Sequence, residues 1–271
     1  MALAPQRDRL SLRLQAVLIL LSASVVPAFA ADFTAREVTE AFFKLVPGRV
    51  LDFSGKDLSF LDLAGIDFKG ATFVNANLYG VDLTRASLKG SNLSGVKLDR
   101  AVMIRSDFSG ANLSGASIMR PSVYTTLDAN REEAPKFSGA NLRGIRITAM
   151  MDGADFRGAD LTDARMGPHE PRADISSMPA SVLRGCDFSG AILRGADLMW
   201  AKLSFSKFTG ADMTGVNLNG ADLSKTDLSG ADVTGADLAG ADLDGADLRG
   251  VKGWETIKGR ETVLNFDRAL R

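Results

Sequence analysis

His169 is the only histidine of the chain, and it stands beside Glu170 and close to Asp174. An imidazole next to carboxylates is the combination from which acid–base pairs and metal sites are built. A metal centre, however, needs three or four ligands steered by further hydrogen bonds, and here one histidine sits in a proline-rich stretch with no partner motif. The reading is a solvated loop, with His169, Glu170 and Asp174 as candidate contacts for a protein partner and with no metal or cofactor. Nucleophilic chemistry finds as little. Cys186 is the sole cysteine, so no intramolecular disulfide can form, and nothing in the spacing pairs it or a serine with His169.

Two other chemical motifs dissolve on inspection. Glycines five apart, such as Gly235 and Gly240, are not followed by Gly-Lys-Ser/Thr, so no phosphate loop is indicated. Ser94-Gly95-Val96-Lys97 has the serine-x-x-lysine spacing only because the whole region has period five. That period is the dominant fact. From Phe53 to Ile118 and again from Phe188 to Leu248 a large apolar residue recurs every fifth position, preceded by Asp or Asn and, one further back, by a small residue. Ala71-Thr72-Phe73-Val74-Asn75, Ser106-Asp107-Phe108-Ser109-Gly110 and Ala241-Asp242-Leu243-Asp244-Gly245 show the frame.

Period five selects the backbone. On an α-helix five residues turn through about 500°, so successive leucines would drift by about 140° and form no stripe. A straight strand alternates with period two, and an odd repeat would throw successive leucines to opposite faces. The chain must therefore bend once per repeat. The small residue and the Leu or Phe point inward, the Asp or Asn between them points outward, and the next two residues make a corner at which glycine supplies positive φ. Phe53 with Phe73, Phe188 with Phe208 and Asn92 with Asn112 recur at 20 residues, which favours four sides per coil. Cys186 falls in the small inward slot two before Phe188.

These residues resemble the pentapeptide-repeat family, whose consensus is A(D/N)LXX. The run Ala211-Asp212-Met213, Val216-Asn217-Leu218, Ala221-Asp222-Leu223, Thr226-Asp227-Leu228, Ala231-Asp232-Val233, Ala236-Asp237-Leu238, Ala241-Asp242-Leu243 and Ala246-Asp247-Leu248 carries the likeness most clearly. The resemblance implies an all-β fold, a right-handed quadrilateral β-helix, over residues 51–250. It brings no catalytic residues with it, and no enzymatic activity is expected. In this family open solenoid ends can pair into homodimers.

Outside the repeats four features organise the chain. Arg7, Arg9 and Arg13, an apolar run from Leu14 to Val26 and Ala28-Phe29-Ala30 read as a signal peptide over residues 1–30, cut between Ala30 and Ala31; an uncleaved membrane anchor is the lesser alternative. The mature chain is then periplasmic or secreted with no membrane span, and its formal net charge moves from −1 to about −3 as three arginines and Asp8 leave. Thr34-Ala35-Arg36-Glu37 fits a capping box, and Val38, Phe42 and Leu45 follow at helical spacing until Pro47-Gly48, giving a short capping helix within residues 31–50. Trp254, Ile257, Val263, Leu264 and Phe266 in residues 251–271 either seal the far end or form a tail. The repeat phase slips at 119–136, 148–155 and 167–187, and loops on a rigid scaffold are where binding determinants concentrate.

Charge supplies the last expectation. Eight Asp face Lys225 and Arg249 between Ala211 and Gly250, whereas Leu51 to Ile118 is balanced. Twenty-residue coils place Asp212 over Asp232, Asp222 over Asp242 and Asp227 over Asp247, a candidate acidic face whose like charges raise one another's pKa unless amides or cations compensate. No basic surface suggesting nucleic acid stands out. The expectation is an exported, non-enzymatic scaffold or adaptor that contacts an unidentified protein through its faces or loops. The alternative, implied by the family, is an acidic DNA mimic that binds a topoisomerase such as gyrase.

Overall fold

The computed structural model describes residues 31–126, 130–168 and 180–271. Ala31–Arg271 is one compact unit. Ala30 and the apolar run before it lie outside the described residues, and no helix among those described is long and apolar enough to cross a membrane.

The chain forms a β-solenoid with four sides per coil. Asp52, Asp57, Asp62 and Asp67 pair in parallel with Thr72, Asn77, Asp82 and Ser87, each 20 residues on, and the columns continue through the molecule, the third with a break between Ser122 and Met150. We number the sides by these residues, so that Asp52 opens the first and Asp67 the fourth. Each side lends one outward residue to a bridge and then turns, which is why so little continuous strand forms. The corner is a β-turn: the Lys56 N–H donates to the Phe53 carbonyl at 3.1 Å, while Gly55, at φ +67, donates to Val74 of the next coil at 2.8 Å.

The inward slots are Leu, Phe, Met, Ile and Val facing Ala, Ser and Val, nearly all fully buried. On the fourth side Phe108, Phe137, Phe156, Phe188 and Phe208 stack ring on ring at 4.8 to 5.2 Å. Each such side chain contributes roughly 1.5–3 kcal/mol of transfer free energy, and only stacked neighbours bury it.

At the N-terminal end α1 (Ala35–Phe43) begins at the expected capping box: Thr34 Oγ1 accepts from Glu37 N–H, and Glu37 Oε2 accepts from Thr34 N–H at 2.7 Å. Val38 and Phe42 are buried, and the Phe42 ring meets Phe53 and Phe68 at 5.9 and 5.2 Å. The helix stops at Phe43, earlier than Pro47-Gly48, with Lys44 as its C-cap; a proline at 47 disfavours helical backbone at the residue before it.

The slips have distinct geometries. Asp107 pairs with Lys136, 29 positions on rather than 20, so nine residues are inserted at the corner between the third and fourth sides. Arg165 pairs with Asp197, 32 on, so twelve are inserted at the corner between the second and third sides. Between them one residue is lost: Lys136 pairs with Asp155, 19 on. At that deletion the corner straightens and the two continuous strands form, β1 (Ser117–Met119) parallel to β2 (Arg146–Thr148).

Residues 251–271 differ from a tail. Lys252, Lys258, Leu264 and Leu270 pair with Asp232, Asp237, Asp242 and Asp247, so a further coil extends the solenoid beyond 250. Its period is six, Val251-Lys-Gly-Trp-Glu-Thr, Ile257-Lys-Gly-Arg-Glu-Thr, Val263-Leu-Asn-Phe-Asp-Arg, with a 3-10 turn at each corner. The Trp254 and Phe266 rings stack at 4.9 Å, and Ile257 is buried. Leu264 takes the outward slot and is 53% exposed, so it seals nothing.

Candidate functional site

The aspartates that gave the acidic appearance are structural first. Asp52 Oδ1 accepts the N–H of Ser54, two residues on, and the same bond recurs in outward slots held by Asp or Asn, as at Asn112, Asp212, Asp227 and Asp247. The outward carboxylate closes its own corner, a local turn that only a short acceptor side chain can make. The expected columns exist, but on three different sides: Asp212 pairs with Asp232 on the first, Asp222 with Asp242 on the third, Asp227 with Asp247 on the fourth. They do not form one face. Nor does like charge dominate their ionisation. Burial raises the Asp212 and Asp227 carboxyls, yet hydrogen bonds from Thr214 and Ser229 outweigh it and both lie below the usual carboxylate value. The Thr234 hydroxyl and amide lower Asp232, and Arg249 lowers Asp247.

Cys186 is fully buried in the small slot, its thiol donating to the Met151 carbonyl at 3.1 Å. Burial pushes its pKa far up. His169, Glu170 and Asp174 lie outside the described residues. Among the described residues no three His, Cys, Asp or Glu side chains gather as metal ligands would.

Once Asp and Asn are understood as corner closers, the slots that lack them stand out. On the second side Lys97, Ser117, Arg146 and Arg165 follow one another, and on the third Val102 and Ser122 are followed by Met150 and Val182. Over the same coils the first side keeps Asn92, Asn112, Asn141 and Asp160. Eight adjoining slots on two neighbouring sides thus forgo a hydrogen bond worth about 0.5–1.5 kcal/mol each. Two orphaned amides are rescued from another coil, where Met119 N–H donates to Asp99 Oδ1 at 3.0 Å and Arg184 N–H to Asp152 Oδ1 at 2.8 Å.

A second departure coincides with the first. Corner positions with left-handed φ are mostly glycine, but Arg100 and Arg120 on one edge of the third side, and Arg85 and Arg105 on the other, adopt φ of +52 to +59. A non-glycine residue there costs roughly 1–2 kcal/mol. Straightening at the deletion pushes Met119 and Thr148 out as a shoulder between two adjoining hollows. One, of about 220 Å³, is lined by Arg146, Arg165, Gly167, Pro168 and Asp197; the other, of about 290 Å³, by Tyr79, Asp99, Arg100 and Arg120. Both insertions spring from the corners that bound the third side. Sequence reasoning looked for function in the insertions and missed the side they bracket. The legible signal was the failure of the Asp/Asn rule from Lys97 to Val182.

The pentapeptide repeats family model matches residues 52–90, 86–120, 136–167, 181–220 and 217–252, in eight copies. The chain belongs to the pentapeptide repeat family. Among solved structures it is similar to HetL, a pentapeptide repeat protein involved in heterocyst differentiation regulation from the cyanobacterium Nostoc, at 22% identity over 88% of this chain and 94% of that one, with a TM-score of 0.38. It is similar to QnrB1, a plasmid-mediated fluoroquinolone resistance protein, at 21% identity over 73% and 78% of the two chains, with a TM-score of 0.35. A pentapeptide repeat protein of the Arabidopsis thaliana thylakoid lumen aligns at 27% over 49% of this chain and 73% of that one, with a TM-score of 0.27. No curated protein matches.

Proposed function

We propose that this chain is an exported, non-enzymatic scaffold that binds another protein, built as a right-handed four-sided solenoid closed at its N-terminal end by α1. The observation that carries the reading is that both insertions leave from the two corners bounding the third side, while neither corner of the first side carries one. A solenoid is held by contacts between neighbouring coils, so insertions at corners leave the core intact and mark the face they flank. Export rests on the N-terminal sequence, Arg7 to Ala30.

Affinity capture on the purified chain tests it, comparing the intact protein with one in which residues 167–180 are replaced by a two-residue corner, which removes the twelve inserted residues and keeps the buried Ser181. The scaffold reading expects a stoichiometric protein partner from the compartment in which the chain resides, lost with the replacement while the melting temperature holds. Capture of nothing by the intact chain contradicts it.

A further inference from the structure

We propose that the third side between Val102 and Val182 is a docking site for an amphipathic helix with acidic flanks, presented by the protein partner. The inference rests on the scaffold reading and names the chemistry of its partner. The outward slots Val102 and Ser122, paired with each other, and Met150 and Val182, paired in the coils that follow, are apolar or uncharged, and Met150 is 64% exposed. Coils about 4.8 Å apart make this stripe about 14 Å long. An α-helix lying along it offers an apolar residue once per turn, about every 5.4 Å, which keeps step with the rows over this length.

Charge selects the helix's flanks. Among the described residues no carboxylate lies within ion-pair distance of Lys97, Arg100, Arg146 or Arg165, and all four side chains are exposed. Lys97, Arg146 and Arg165 occupy outward slots of the adjoining second side and Arg100 stands at the corner between the two; Arg85 and Arg184 stand at the opposite edge. Elsewhere the solenoid neutralises its arginines internally, as in Arg157–Asp155, Arg194–Asp212 and Arg249–Asp247 at 2.6 to 2.7 Å. Unpaired guanidinium groups around an apolar strip complement carboxylates around an apolar ridge, and such complementarity sets specificity. The left-handed φ of Arg100 points the same way, since glycine would fit that corner without strain. Membranes and nucleic acid would also meet cations, but a flat lipid surface does not track a single apolar row, and duplex DNA has no use for Met150.

The probe is a stapled helical peptide of about four turns, with leucine along one face and glutamate on both flanks, set beside the same peptide with lysine for glutamate, a duplex DNA and anionic phosphatidylglycerol vesicles. The glutamate peptide is expected to bind the chain from residue 31 in the micromolar range and in preference to the other three. Its affinity is expected to fall roughly tenfold or more in the R146E/R165E variant and in M150D. K207E, which alters charge on the fourth side, is expected to leave it unchanged. All four substitutions are at exposed slots, and unchanged melting temperatures verify folding. The proposal is overturned if the lysine peptide, DNA or vesicles bind as well, or if R146E/R165E and M150D bind the glutamate peptide normally. Should the peptide fail while partner capture succeeds, only this inference falls.

Discussion

Phe188 stacks on Phe156 with ring centroids 4.8 Å apart and planes within 1°, although the longer insertion lies between them in sequence. The aromatic column therefore crosses the break that the backbone period does not. It holds the coils on either side of residues 167–181 in register, which lets the insertion vary without shifting the second and third sides.

Removing one ring from this column should be felt throughout. Phe156→Ala deletes a fully buried side chain with a ring against each neighbour, and a loss of about 3–5 kcal/mol is expected. Chemical denaturation checks it. Because coils are stabilised mainly by their neighbours, the transition should also split, the two halves unfolding separately.

Aspartate in the outward slot should be replaceable by asparagine and not by alanine. Asp227 Oδ1 accepts the Ser229 amide at 2.9 Å, a bond that asparagine keeps and alanine loses. Asp227→Asn, which keeps the acceptor and loses the charge, should cost less than Asp227→Ala, for which a loss of about 0.5–1.5 kcal/mol is expected. Equal losses in thermal melts would show that charge, not the corner bond, matters there.

The same bonds give the pH dependence its sign. Asp107, Asp160, Asp212 and Asp227 lie below their ordinary value of 3.8 in the folded chain despite burial, through bonds from Ser109, Thr162, Thr214 and Ser229. A carboxyl lowered on folding stabilises fully above its unfolded pKa, and that stability is lost as pH falls through the folded value. Melting temperature should be level from neutrality down to about pH 5 and drop below about pH 4. A drop beginning near pH 6 would contradict the assignment.

Two glycines, one in the first half of the solenoid and one in its last coil, separate strain from collision. Gly110, at φ +66, has open space where a Cβ would go, so Gly110→Ala should cost only about 1–2 kcal/mol. Gly259, at φ +68, has Ala239 Cα within 2.4 Å of that point. Gly259→Ala should unseat the six-residue coil and raise amide exchange around Trp254 and Phe266, leaving coils before Gly210 protected.

Much of this was legible in the residues. Period five excludes helix and straight strand, and the alternation Ala–Asp–Leu fixes which side chains enter the core, Cys186 included. Thr34 and Glu37 announce the start of α1. The acidic face misled because charge was read without its hydrogen bonds: Asp212, Asp222 and Asp227 fall on three sides, a consequence of five residues per corner. The last coil was hidden because Val251, Ile257 and Val263 keep the inward slot at a period of six. Arg146 and Met150 were passed over because their meaning depends on which outward slots become neighbours after a deletion and two insertions.

The most direct measurement is site-specific photocrosslinking in the living host, with a photoreactive residue placed at Met150 on the third side or at Asp227 on the fourth. The account predicts a discrete protein adduct from position 150, absent from position 227 and lost with R146E/R165E. Equal adducts from both positions, or adducts from 227 alone, would contradict it.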